Sequence, residues 1–345
     1  MQIITPSVEL WKHDIHPYEF MEKVGRVCYK SEDKITDGSA VKMMIALKKS
    51  KHYAILEHEH LYFEMSGRFM NSFLAETKYI SELYKDIHIL KYFNITNDAS
   101  SDVYVLSGSF RSFIELFEKG YKGFTLDVIL WSLQKKYSLM FGDNLIEFYD
   151  YSTDDCKLLI RAEFEERYAD YPDVLHNHLI HTFKFICDRG VTHELVRHRD
   201  ASFAQESTRY CSYIQDKFGN EITVIEPFFF TPDGVRVSTE NWSERYGAWR
   251  YACEVAEESY FRILNDGGTP QEARDVLPTS LKTELVITAT EKEWQHIVNL
   301  RYLGTTGAPH PQAREVMGMA VSDIKEETNG RVYVGELAAW NKLKN

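Results

Sequence analysis

Residues 188–209 read DRGVTHELVRHRDASFAQESTR. Arg197, His198 and Arg199 are followed by seven residues and then by Ser207, Thr208 and Arg209, so three guanidiniums and an imidazole fall within thirteen positions of a chain whose net charge is -12. Arginine is permanently charged, and its planar fork matches phosphate and carboxylate oxygens two at a time, so the stretch reads as an anion site. A solvated strip of salt bridges is the plainer alternative, because Glu194, Asp200 and Glu206 lie close by. Just upstream, 180–187 alternates apolar and polar residues as a strand does, and Gly190 opens a helix-compatible run through Val191, Leu195 and Val196.

Downstream, 241–265 has the spacing of a long amphipathic helix (Trp242, Tyr246, Trp249, Cys253, Ala256, Tyr260, Leu264), stopped by Asn265, Asp266, Gly267 and Gly268. Thr269, Pro270 and Glu272 predict a capping box that restarts a helix ending near Pro278. Residues 283–290 are rich in Thr, Val and Ile and read as a strand, and Thr290 with Glu293 caps an expected last helix carrying Trp294, Ile297, Val298 and Leu300. On the N-terminal side, helices are expected over 17–29 and from Ser39, read as an N-cap, to about Ser50, followed by an alternating strand over 59–65. The span 66–175 is aromatic-rich, with helical stretches near 69–90, 110–119, 125–141 and 155–170, and carries no chemical motif. It reads as an insertion. No internal repeat or linker stands out.

At 345 residues, 40.3 kDa and 44% apolar content, the chain can bury a sizeable core. Met1–Glu9 lacks a signal-peptide pattern and no run of eighteen apolar residues occurs, so a cytoplasmic protein without membrane association is expected. Cys28, Cys156, Cys187, Cys211 and Cys253 are odd in number and without a CxxC pair, which argues for small buried thiols over disulfides or a cysteine metal site. The acidic balance speaks against general nucleic-acid binding.

Arg-His-Arg, seven residues, then Ser-x-Arg resembles the signature of the flavin-dependent thymidylate synthases, the ThyX family. Asp188 to Val196 is similar to the segment that leads into it. His52 with Glu57 and His58 resembles the family's His, four residues, Glu-His block. Ala273-Arg274-Asp275-Val276-Leu277-Pro278, Asn299-Leu300-Arg301 and His310-Pro311-Gln312 resemble later elements in the same order. The resemblance covers about 1–65 and 180–320. The sequence departs from some relatives at Glu194, Thr290 and His296, where Gln, Asn and Asn occur.

The resemblance implies that Arg197, His198 and Arg199 grip FAD, with His52, Glu57, His296, His310 and Cys28 also on the flavin side. It assigns Glu194, Glu206, Ser207, Arg209 and Arg274 to dUMP, and a catalytic role to Arg301 and His52. Arg301 near the uracil would stabilise charge developing as C5 becomes nucleophilic. Two arginines on the phosphate supply about 6 kcal/mol gross at roughly 1.5–3 kcal/mol per charge-assisted bond, out of about 8 kcal/mol for micromolar affinity. Ser207 lacks a nucleophile-elbow pattern and reads as a binding residue. The implied reaction methylates dUMP to dTMP with 5,10-methylenetetrahydrofolate as donor and NADPH as reductant, in a homotetramer with shared active sites.

A metal-dependent hydrolase is one rival, since His58 and His60 are two apart and His176, His178 and His181 are close; but His193, Glu194 and His198 miss the HExxH spacing, and no metal is expected. A non-catalytic nucleotide-binding regulator is the other. No GxGxxG or Walker A stretch is present. The expected fold is α/β (α+β), a mostly antiparallel central sheet flanked by helices, the flavin-dependent thymidylate synthase fold as one catalytic domain over 1–345 interrupted by the large insertion at about 66–175.

Overall fold

The computed structural model describes residues 1–85, 90–98, 102–142, 154–214, 219–230 and 242–335. In chain order the elements are β1 (Gln2–Ile4), β2 (Ser7–Trp11), α1 (Pro17–Tyr29), α2 (Ser39–Ser50), β3 (His60–Ser66), α3 (Gly67–Tyr84), β4 (Phe93–Asp98), β5 (Val103–Ser109), α4 (Phe110–Glu118) and α5 (Phe124–Phe141). They continue with β6 (Cys156–Leu159), α6 (Arg161–Arg167), α7 (Pro172–His178), β7 (Ile180–Asp188), α8 (Arg189–Leu195), β8 (Ser202–Gln205), β9 (Thr223–Ile225), α9 (Trp242–Asn265), α10 (Pro270–Ala273), β10 (Lys282–Thr290), α11 (Glu291–Val298) and α12 (Pro311–Glu327). The chain forms two compact units: 1–11, 25–32 and 182–345 make the first, and 12–24 and 33–181 the second.

The first unit holds a four-stranded sheet in the order β2-β7-β10-β8, in which β2 pairs antiparallel with β7 and β8 antiparallel with β10. A separate parallel pair joins β1 to β9. The period-two pattern explains which face is dry. Phe183, Phe185 and Cys187 of β7 and Leu285, Ile287 and Ala289 of β10 form a core with Trp294 and Ile297 of α11 and with Val316, Met317 and Ala320 of α12. Each such large side chain contributes about 1.5–3 kcal/mol by leaving water.

The other face of these strands is charged. Lys30, Lys184 and Lys282 converge on the buried carboxylate of Glu284 at 2.5, 2.7 and 2.6 Å. Burial alone would raise its pKa; Lys282, with Lys184 and Lys30, overrides this and holds it at about 2.

The second unit holds an all-antiparallel sheet in the order β4-β5-β3-β6. Stacked Tyr62 and Phe164, with Tyr168, Leu175 and Leu179, cover part of it. His178, fully buried, ties β5 to β4 through Ser107 Oγ at 2.7 Å and Thr96 Oγ1 at 2.8 Å, and burial, then His60, lowers its pKa to about 3.

A mixed helix and sheet architecture with antiparallel sheets is thus as expected. Several boundaries differ from the sequence reading. Ser39 is the first helical residue, not the N-cap; Gly38 at φ 70 holds that place, and Ser39 Oγ donates to Glu22 instead. The stretch 155–170 is a strand, β6, before it is a helix, because Cys156–Leu159 pairs with β3. The span 66–175 also contains β4 and β5, which a helix-oriented reading missed. The helix after Thr290 is not the last, since α12 follows with Ala313, Val316, Met317, Ala320, Val321 and Ile324 buried at helical spacing. His58 sits in the 3-10 turn of Tyr53–His58 and only His60 is in the strand, so the two do not share a strand face.

The capping box at Thr269 and Glu272 and the Thr290 cap form as predicted. None of the five cysteines is in a disulfide; four are buried and Cys28 is half-buried. The expected helix over 69–90 ends at Tyr84, and 86–89 lie outside the described residues, as do 241 and the Trp242 side chain. Among the described residues no helix is long and apolar enough to cross a membrane.

Candidate active site

Strand ends aim the chemistry of the first unit. β7 runs without a loop into α8, because the Asp188 carboxylate accepts from Val191 N at 2.8 Å and from Gln312 Nε2 at 2.8 Å. Burial raises the pKa of Asp188, and these two donors oppose the shift. β10 runs into α11 through the Thr290 hydroxyl, which accepts from Glu293 N at 3.3 Å. After α11 the backbone widens into a π turn over Asn299–Leu303, closed by Gly304 at φ 72, whose N–H reaches back to Asn299 O.

These two strand-to-helix junctions bring together residues about a hundred positions apart. Arg301, in the π turn, donates Nη1 to the Glu194 carboxylate in a short contact, and donates Nε to His198 Nε2 at 3.2 Å. A ring nitrogen that accepts from a guanidinium carries no proton, so the His198 proton sits on Nδ1, which faces Glu293 Oε1 at 3.3 Å. His198 is buried, and the exposed His296 ring stands edge-on to it at 5.4 Å. The result is a half-buried cation held between a carboxylate and a neutral imidazole, with two exposed arginines, Arg197 and Arg199, on either side of His198 in the chain. Among the described residues neither flanking arginine makes an ion pair, so both forks are free for an anion.

Glu293 is the residue here that sequence reading assigned only to a cap; nothing local in the chain sets it beside His198, which the fold alone brings to it. Its carboxylate, with His198 and His296, brings three ligand atoms within 4.8 Å of one another, a spacing a divalent cation could use. The Arg301 guanidinium already engages His198, and a like charge beside the group disfavours a second cation.

A second feature of the same unit is a cleft of about 270 Å³. Arg274, exposed and only loosely paired with Asp275 at 3.8 Å, lines it together with Arg189, His193, Thr208 and Thr279. Arg274 enters from the 3-10 turn that follows α10, where Leu277 and Pro278 end the helix.

The remaining candidates are spread more widely. Ser207 N donates to Cys28 O at 3.0 Å, and Ser207 Oγ accepts from Arg209 N at 3.3 Å, so this segment is a tight turn in which Arg209 stays exposed, its guanidinium over Tyr210. The Cys28 thiol is pushed up to about 11, by burial first. Glu206 is buried and bound to Lys282 Nζ at 3.0 Å, as part of the lysine-rich face around Glu284. His310 is the exposed N-cap residue of α12, edge-on to Phe229 at 5.9 Å. His52 and Glu57 belong to the second unit: His52 is exposed at the start of the Tyr53–His58 turn, and Glu57 accepts from Arg111 Nη1 at 2.6 Å.

Residues 173–328, which hold both features, match the family model described as thymidylate synthase complementing protein. Proteins named flavin-dependent thymidylate synthase are similar to part of the chain. The one from Pyrococcus furiosus is 30% identical over 115 residues, and that from Sulfurisphaera tokodaii 32% over 125 residues, covering 33% and 36% of this chain. The chain spans 43% of the length of these curated relatives. Among solved structures, a UMP/dUMP methylase PolB from Streptomyces cacaoi bound with 5-Br dUMP aligns over 96% of this chain and 99% of its own, with 17% identity and a TM-score of 0.38.

Proposed function

We propose that this chain, whose residues 173–328 match the family model described as thymidylate synthase complementing protein, is a flavin-dependent thymidylate synthase of the ThyX family that methylates dUMP to dTMP. In this reading 5,10-methylenetetrahydrofolate gives the carbon, NADPH the electrons, and FAD carries the redox chemistry. The chain is one catalytic domain of the family's fold, carrying the 66–175 insertion, in a cytoplasmic homotetramer.

One observation carries the reading: Arg301 is fixed by Glu194 and His198, with Arg197 and Arg199 exposed beside it. The residues fit a flavin dinucleotide in their donor chemistry. Arg197 and Arg199 offer two guanidinium forks to a pyrophosphate, and His296 offers an exposed imidazole edge. Arg274 in the cleft suits the nucleotide phosphate, and Arg301 supplies a pre-oriented positive charge where the uracil ring gains negative charge. Ser207, Arg209, Glu206, Cys28, His310, His52 and Glu57 keep their proposed places on the nucleotide and flavin sides.

The test is the visible spectrum of the purified protein with FAD, followed by NADPH oxidation with and without dUMP and by assay of dTMP. The expected result is a yellow protein bleached by NADPH faster when dUMP is present, and dTMP formed when the folate is added. A protein that stays colourless with FAD, and instead retains zinc that is lost in His296→Ala, would replace this reading with a metal centre at His198, Glu293 and His296.

A further inference from the structure

Past α12, residues 331–335 run beside α11 as a strap. Two extended residues advance about 6.6 Å and one helical turn about 5.4 Å, so alternate strap residues meet successive turns of the helix. Val332 and Val334 are buried in the core that also holds Trp294, Ile297 and Tyr302. Between them the strap is fastened to α11. Arg331 donates Nε and Nη2 to the buried Glu291 carboxylate at 2.8 and 2.6 Å. One turn on, Gln295 grips the main chain of Tyr333 in both directions: Tyr333 N donates to Oε1 at 2.6 Å, and Nε2 donates to Tyr333 O at 3.0 Å. The same Nε2 donates to Asn299 Oδ1 at 2.9 Å. This fixes the amide, because flipped over it would set its carbonyl against two acceptor oxygens. Asn299 is where the helix widens. Its carbonyl closes the π turn, accepting from Gly304 N, from Thr305 N at 3.0 Å and from Thr305 Oγ1 at 3.2 Å. At the end of the strap, a Cβ on Gly335 would come within 2.9 Å of Leu303 Cδ2 in the same turn.

We propose that Gln295 is a positioning residue for Arg301, acting through Asn299 and the π turn, with the 331–335 strap as its fixed support. This rests on the role given to Arg301 above and deepens it. A π turn is a rare departure from the α-helix, and contacts from outside the helix keep it from relaxing. Relaxation to α geometry would rotate Arg301 about the helix axis and part it from Glu194 and His198. A charge that stabilises a transition state acts only from its place, so the clamp governs the chemical step rather than nucleotide binding. The strap contributes its main chain here. The Tyr333 ring, 64% exposed, is not needed for the clamp.

The experiment compares the full-length wild type with Gln295→Met, Tyr333→Pro and Tyr333→Ala. It reads amide hydrogen exchange at Gly304 and Thr305, dUMP affinity by titration, melting temperature, and kcat for dTMP formation with FAD present. Gln295→Met removes all three bonds but keeps side-chain length and helix propensity. Tyr333→Pro removes the donor on the strap side, and Tyr333→Ala keeps the main chain as it is. In the first two variants exchange at Gly304 and Thr305 should quicken about tenfold, as for one net hydrogen bond lost. Their kcat should fall roughly ten- to hundredfold, with dUMP affinity close to wild type, while Tyr333→Ala matches wild type throughout. Should Tyr333→Pro fold poorly, Gln295→Met carries the test. Unchanged exchange in Gln295→Met overturns the proposal, because the strap then does not hold the turn. Faster exchange with an unchanged kcat overturns it too, since Arg301 keeps its place without the clamp. A parallel fall in dUMP affinity, kcat and melting temperature would mark a merely structural contact. A wild type that makes no dTMP overturns the thymidylate synthase reading instead; the exchange comparison, which needs no activity, then decides alone whether Gln295 holds the turn that fixes Arg301.

Discussion

Arg301 works through geometry as much as charge. Its Nε and Nη1 point in two directions, to His198 and to Glu194, and only a planar fork satisfies both. Arg301→Lys keeps the charge but gathers it on a single nitrogen, which cannot reproduce two donors fixed on different arms of a planar fork. The expected outcome is kcat for dTMP formation reduced about 10²–10³-fold, with the dUMP dissociation constant changed far less. A loss confined to dUMP affinity would show that Arg301 only binds. The sequence carried Arg301, Glu194 and His198 as separate motif residues, and their joining across 103 and 107 positions came only with the fold. Glu293 and Arg189 were not legible as site residues, because each has an ordinary local role in the sequence, one as a cap partner and one as the first residue of a helix. Glu206 was read toward the nucleotide, yet its neighbour Lys282 is a strand residue with nothing in its spacing to announce the contact.

Four strands share one device at the level of elements. β3, β5, β7 and β10 each pass straight into a helix, with Ser66, Ser109, Asp188 and Thr290 as N-caps accepting from a backbone N–H three residues on. Caps and period-two runs are local signals, which is why β7, β10, α9 and α10 were placed nearly correctly from sequence. β4 and β6 lie at the two edges of their sheet and are defined by partners rather than by pattern, and the central β5 was lost with them because its later residues are buried on both faces and show no period of two. β10 carries an element-scale prediction. Glu284, at about 2 in the fold against about 4.5 when free, adds about 3 kcal/mol, present above pH 4.5 and lost as pH falls toward 2. Glu284→Gln leaves Lys30, Lys184 and Lys282 without their common anion. Urea unfolding at pH 7 should show a loss of about 3 kcal/mol that shrinks as the pH is lowered below 4.5; a gap independent of pH would refute the charge explanation.

At the scale of the whole molecule, acid should act through the second unit before it reaches Glu284. His178 and His60 are lowered to about 3, each by burial first, so the unfolded chain binds more protons and their stabilisation is lost as pH falls below 6.5. Glu59, pushed up to about 8 by burial, has the opposite sign: its contribution is full below about 4.5 and is lost as pH rises through 8. Two histidines against one carboxyl leave a net loss of about 1.4 kcal/mol per pH unit between 6.5 and 4.5. In His178→Asn, which keeps hydrogen-bonding capacity without a titrating ring, that slope should fall close to zero when unfolding is followed by denaturant titration; an unchanged slope would locate the acid sensitivity elsewhere. The segment boundaries of the two units have a further consequence, for synthesis. All of the second unit, through residue 181, leaves the ribosome before most of the first exists. Gln2 must meanwhile wait for Thr223, its partner in the β1–β9 pair, for on the order of ten seconds or more at about 5–20 residues per second. The nascent chain therefore carries a finished unit and an unpaired N-terminal strand at the same time, and holdase chaperones that bind exposed strands have their window there.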